Sequence, residues 1–104
     1  MEVVYVSRAA QFIEELPAPL AARTKKTLDL LETHGHVLRM PYSRSVARGL
    51  FELRVLGAVH VRILYFFHNN QAVVVHALIK KRNDLSNKDI AYAKVVQKEV
   101  LADV

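Results

Sequence analysis

The sequence contains no cysteine. That excludes a disulfide framework and thiolate chemistry, and it fits a reducing cytoplasm. Glycine is scarce: three residues, Gly35, Gly49 and Gly57, stand far apart. They make no glycine-rich loop to cradle a phosphate. Apolar runs fall well short of the ~18 residues that a membrane-spanning helix needs. The opening, MEVVYVSRAAQF, lacks the basic-then-apolar order of a signal peptide, so a soluble cytoplasmic protein is expected. Metal-ligand spacing is also missing. His34 and His36 flank a glycine, and His60, His68 and His76 are spread along strand-like segments without a carboxylate motif. No nucleophile–base–acid triad is visible, so neither metal nor cofactor is expected.

What remains is a single domain over residues 1–104, with 52% hydrophobic residues and a net charge of +5. A basic balance suits phosphate-rich or acidic partners. Its position is more informative than its sum. Five arginines (Arg39, Arg44, Arg48, Arg54, Arg62) and one acid, Glu52, lie between residues 39 and 62. Most of the other acids (Glu14, Glu15, Asp29, Glu32, Asp84, Asp89, Glu99, Asp103) cluster in the helical flanks.

Residues 2–6, EVVYV, read as a short strand. Ser7 can cap a helix whose face is Ala9, Phe12, Ile13 and Leu16, and Pro17 ends it. Pro19 suits the first turn of a second helix with the stripe Leu20, Thr24, Leu28 and Leu31, stopped by Gly35. Residues 36–49 lack a period and read as a loop. Three strands follow, over 50–55, 59–67 and 71–79, with Asn69-Asn70 suited to a two-residue hairpin. Ser86-Asn87-Lys88-Asp89 resembles a capping box ahead of a helix with the stripe Ile90, Ala93, Gln97, Val100 and Leu101. The element order is β-α-α-β-β-β-α, an α+β fold.

Register decides where the arginines point. A three-residue turn that sets Val55 opposite Val59 keeps Phe51, Leu53 and Val55 against apolar partners. Glu52, Arg54, His60 and Arg62 then share the other face. Continued through the Asn69-Asn70 hairpin, that face takes Val73, Val75, Ala77, Ile79 and Lys81, with Lys80 on the opposite side. The helices would cover Val61, Ile63, Val74 and Leu78. Three cations, Arg54, Arg62 and Lys81, repel one another unless an anion lies among them. A phosphate groove is one reading, because guanidinium forks match phosphate oxygens. Ordinary ion pairing to Glu52 or to a carboxylate on the last helix, with Lys80-Lys81-Arg82 as a solvated strand end, is the other.

Phe12-x-x-x-Leu16, Gly35, Pro41, "GLFELRV", "VRILYFF", "ALIKKR" and the final S-x-x-D helix together resemble the RelE/HigB-like toxin superfamily, over roughly residues 3–98. The nearest branch is the phage-derived HigB-type toxins of type II toxin–antitoxin systems. The resemblance implies a curved antiparallel sheet with an N-terminal helical hairpin on one face and a C-terminal helix. It implies a ribosome-dependent, metal-independent endoribonuclease that cuts mRNA in the decoding site. The 2′-hydroxyl attacks and leaves a 2′,3′-cyclic phosphate. Carried onto this chain, Arg54, Arg62 and Lys81 are the catalytic candidates, stabilising charge on the phosphoryl oxygens. Arg44, Arg48, Lys80, Arg82 and Lys88 would track RNA backbone, and Tyr42 is the loop aromatic able to stack on a base. Tyr65 falls on the helix-covered face, where core packing is expected. The general base is unassigned, since no tyrosine follows "KKR" until Tyr92. An acidic helix-turn-helix antitoxin, the ribosome and mRNA are the expected partners. Two rival readings stay open: a ParE-like inhibitor of gyrase without nuclease activity, and a non-toxic basic adaptor that binds nucleic acid.

Overall fold

The computed structural model describes residues 1–57, 59–80 and 85–103. Its elements are β1 (Glu2–Tyr5), α1 (Ser7–Glu14), α2 (Ala18–His34), a 3-10 turn (Gly35–Val37), β2 (Ser43–Ala47), β3 (Leu50–Val55), β4 (His60–His68), β5 (Gln71–Lys80) and α3 (Asn87–Ala102). The strands form one open sheet in the order β1-β5-β4-β3-β2.

The sheet is mixed, which corrects the expected antiparallel one. β1 lies parallel to β5, with Glu2 beside Gln71 and Tyr5 beside Val74. The other neighbours are antiparallel. β1 and β5 are separated by two helices and three strands, so no short turn dictates their relative direction.

A second correction is β2, within a segment expected to be loop. It pairs with β3 as a short outer strand, and its register shifts between Ser45 and Ala47. That irregularity breaks the two-residue period by which a strand is recognised. Gly49, at φ 70°, supplies the turn into β3.

The helical hairpin follows the expected pattern. Pro17 stands at the N-cap of α2 and a proline occupies its first turn. Gly35 ends the helix at φ 51°, its N–H donating to the Leu31 carbonyl. Ser7 does not cap α1, however. Val6 takes the N-cap position, because its N–H is already committed to the Val74 carbonyl at 3.0 Å as the continuation of β1. One face of the sheet buries Leu53, Val55, Ile63, Tyr65 and Val74 against Ala9, Leu16, Leu28 and Leu31 of the hairpin. Truncating Leu31, fully buried, to alanine would cost about 2–5 kcal/mol.

The opposite face carries Leu50, Leu64, Phe66, Val73 and Val75 and is partly covered by α3. Ser86 caps α3 as expected: its Oγ accepts from the Asp89 N–H at 3.2 Å and donates to Asp89 Oδ2 at 2.7 Å. The buried stripe of α3 is centred on Ala93, with Ile90, Val96 and Val100 beside it. Leu101, expected in that stripe, is exposed.

Two register findings reposition the strand residues. Val55 faces Val61, not Val59, so the β3–β4 connection is longer than three residues. The shift is by two, so the faces are preserved. The β4–β5 ladder then slips by one between Leu64 and Tyr65. Because side chains alternate, a slip of one exchanges the faces of the described β5 residues from His76 to Lys80. Ala77 therefore joins the hairpin-side core and Ile79 pairs with Val61. Leu78 faces Arg62 and Lys80 faces His60. The expectation that Lys80 lies opposite the arginines, and that Leu78 lies under the helices, is overturned by this bulge.

Candidate nucleic-acid interface

On the face away from the hairpin, Arg54 of β3 stands directly opposite Arg62 of β4. Glu52, two residues before Arg54, is paired on its outer side with Arg44 of β2. The strand period thus brings three guanidinium groups around one carboxylate. Arg44 Nε donates to Glu52 Oε1 at 2.7 Å. Arg62 Nε lies 3.2 Å from Oε2, and Arg54 Nε 3.9 Å from Oε1. Side-chain exposure runs from 0% for Glu52 and 1% for Arg62 to 19% for Arg54 and 36% for Arg44. The cluster is therefore buried at its centre and open at its two flanks.

One carboxylate offsets one of the three cations. Burial depresses the Arg62 pKa below its ordinary value. Glu52 opposes that shift, and the charges of Arg54 and Arg44 add to it. The depression does not discharge a guanidinium, so the cluster keeps a local positive excess. Its hydrogen bonding is incomplete as well. Among the described residues, Arg54 Nε, Arg62 Nε and Glu52 Oε2 have no aligned partner. The Arg62–Glu52 contact is close enough for Coulomb attraction but misaligned for a hydrogen bond. His60 Nδ1 is 3.4 Å from Arg62 Nη2, and Lys80 stands across from His60. An acceptor-rich anion on this strip would meet Arg44, Arg54 and Lys80 at its surface, with Arg62 beneath.

A second group forms where β5 meets the start of α3. His76 Nε2 is 3.1 Å from Asp89 Oδ1, and Lys80 Nζ is 3.4 Å from Asp89 Oδ2. Burial pushes the Asp89 carboxyl up, but the bonds from Ser86, His76 and Lys80 outweigh it. The net position is below the usual carboxylate range. His76 pairs with Leu64 on the face shared by Arg62 and Leu78. In the sequence His76 looks like an ordinary strand histidine. The slip between Leu64 and Tyr65 puts it here, and the one signal that points to its partner is the S-x-x-D cap.

The expected site residues divide as follows. Arg44, Arg54 and Arg62 converge, and Lys80 joins their face. Arg48 is exposed at the β2–β3 turn, and Lys88 is exposed in the first turn of α3. Tyr42 is half-buried just before β2, and its carbonyl accepts from the Arg54 N–H at 2.7 Å. Lys81 and Arg82 lie outside the described residues. Tyr65 is buried, as expected, and hydrogen-bonded to Ser43. Among the described residues, no group of three or more potential metal ligands gathers, and no helix is long and apolar enough to cross a membrane.

A search of curated proteins yields no match. A family model does match, over residues 11–98, from the second half of α1 through most of α3. The arginine cluster and the His76–Asp89 pair both fall inside that span, and on this match the chain belongs to the phage-derived Gp49-like protein family (DUF891), a family associated with toxin–antitoxin toxins.

Proposed function

We propose that the protein is the toxin of a type II toxin–antitoxin system, related to the RelE/HigB-like toxins, that cuts mRNA on the ribosome. The observation carrying this reading is the cluster of three arginines around one buried carboxylate, which leaves positive charge open to solvent at Arg44 and Arg54. Phosphoryl transfer through a charged transition state needs fixed cations where water is displaced. Glu52 fixes them, and the strands supply the spacing.

Roles follow from exposure. Arg54 and Arg44, with Lys80, contact phosphate oxygens. Arg62, almost wholly buried, is a positioning residue that acts through Glu52 and through its field. Lys81 enters through the resemblance and adds charge to the scissile phosphate. Arg48, Lys88 and Arg82 follow the backbone of message or ribosomal RNA, and Tyr42 stacks on a base. His76 takes the proton. Asp89 holds Nε2 and leaves Nδ1 for substrate. The 2′-oxygen bonds to phosphorus as its proton passes to Nδ1, and the P–O5′ bond breaks. The leaving O5′ takes a proton from water, and the imidazolium neutralises the hydroxide formed. The products are a 2′,3′-cyclic phosphate and a 5′-hydroxyl. An acidic helix-turn-helix antitoxin covers the basic strip in the resting complex.

The experiment is induction in growing cells, with mapping of mRNA 5′ ends by primer extension. Wild-type protein should create new ends inside translated codons, and the double variant Arg44→Ala/Arg54→Ala should not. Growth arrest with intact messages and relaxed plasmid DNA would instead identify a gyrase inhibitor. Intact messages with normal growth would leave only a binding role.

A further inference from the structure

A cleft of about 420 Å³ opens between α1, β5 and α3, lined by Arg8, Phe12, His76, Lys88, Asp89 and Tyr92 among others. Its walls are aromatic and its rim is cationic. The rings of His76 and Tyr92 meet edge to face with centroids 4.8 Å apart. Phe12, partly buried against the hairpin-side core, gives a third aromatic surface. Arg8 is exposed at the rim and donates from Nη1 to the Tyr92 hydroxyl at 3.2 Å. Lys88 is exposed on the α3 side. Among the described lining residues the one acid is Asp89, and it is occupied by Ser86, His76 and Lys80.

We propose that this cleft is a binding pocket for one unstacked nucleotide of an RNA strand. The base would lie against the Tyr92, His76 and Phe12 rings, and its phosphate would meet Arg8 and Lys88. Aromatic faces accept any base by its π surface, while cations hold the backbone. The volume falls within the range of small-molecule pockets. An acidic peptide would use the cations but leave the rings without a planar partner. The pocket adjoins the cationic strip: His76 belongs to both, and Lys80 and His76 share Asp89. A strand with one phosphate on Arg54 and Lys80 can therefore turn its neighbouring base into the cleft. This assignment deepens the ribonuclease reading and rests on its RNA substrate, but the test below reads binding, not cleavage.

The test is NMR titration of the full-length protein with adenosine 5′-monophosphate, uridine 5′-monophosphate, ribose 5-phosphate and inorganic phosphate. Both nucleotides should shift the ring signals of Tyr92, His76 and Phe12 saturably. Ribose 5-phosphate should bind about tenfold more weakly, since stacking on an aromatic contributes roughly 1–3 kcal/mol per base. Tyr92→Leu should weaken nucleotide binding by a similar factor. Tyr92→Phe, which keeps the ring and so controls for folding, should retain it, and Arg8→Ala should weaken the binding of both nucleotides. Equal affinity for nucleotide and inorganic phosphate would overturn the pocket, as would shifts confined to Arg44 and Arg54. A wild-type protein that cuts messages but binds no nucleotide here sinks the pocket alone. One that binds nucleotide here and cuts no message sinks the nuclease reading and leaves the pocket standing.

Discussion

Glu52 carries more of the site than any arginine does. It is fully buried among three guanidinium groups. A buried pair contributes little over a well-packed apolar replacement, but removing one partner leaves an uncompensated charge. Glu52→Ala should therefore cost about 3–5 kcal/mol, read as a lowered urea midpoint. A loss below about 1 kcal/mol would mean that Arg62 is not held by this carboxylate. Asp89 gives a pH test at the same scale. Its folded pKa is depressed, so its contribution is present above the ordinary carboxylate range and is lost as pH falls through the folded value. Wild-type stability should drop on acidification through that window. Asp89→Asn should show a shallower acid limb in urea unfolding followed at several pH values.

At the scale of elements, the β4–β5 hairpin and the α3 cap set the positions of the site residues. Asn69 and Asn70 both hold positive φ, 50° and 59°, the backbone that a two-residue turn demands. Asn70→Gly should fold with stability within about 0.5 kcal/mol of wild type, and Asn70→Val should cost about 1–2 kcal/mol, because a β-branched residue resists the left-handed region. The hairpin is legible in the sequence because Asn-Asn has few other conformational uses between two apolar runs. The slip between Leu64 and Tyr65 is not. Both strands are apolar on both faces there, so neither burial nor pattern marks which residue is extra. That one residue moves Lys80 and His76 onto the arginine face and takes Ile79 off it. The β2 strand escapes sequence reading for a related reason: its own bulge and outer position erase the alternation that makes β3 easy to recognise.

For the molecule as a whole, charge placement is what the RNA reading requires. Removing one cation that touches phosphate should reduce the slope of log affinity against log salt by about 0.7 for a single strand. Arg44→Ala/Arg54→Ala should therefore flatten that slope by about 1.4 if both residues bind phosphate, as measured with a 2′-deoxy oligonucleotide that cannot be cut. A weaker affinity at unchanged slope would mean that the arginines act only through folding. The same variant tests the rival gyrase reading, which predicts no loss of toxicity from changes on this strip.

Sequence alone determined the element types from α1 to α3 outside β2, the helical hairpin with its Pro17 and Gly35 boundaries, and the shared face of Arg54 and Arg62. These follow from local conformational preference and from a two-residue period that short-range sterics impose. Only the tertiary structure decided that β1 runs parallel to β5, that Glu52 sits among three arginines, and that His76 and Lys80 meet Asp89. Those depend on long-range pairing and on one inserted residue in a ladder, and no local preference encodes a register between strands that are apolar on both sides.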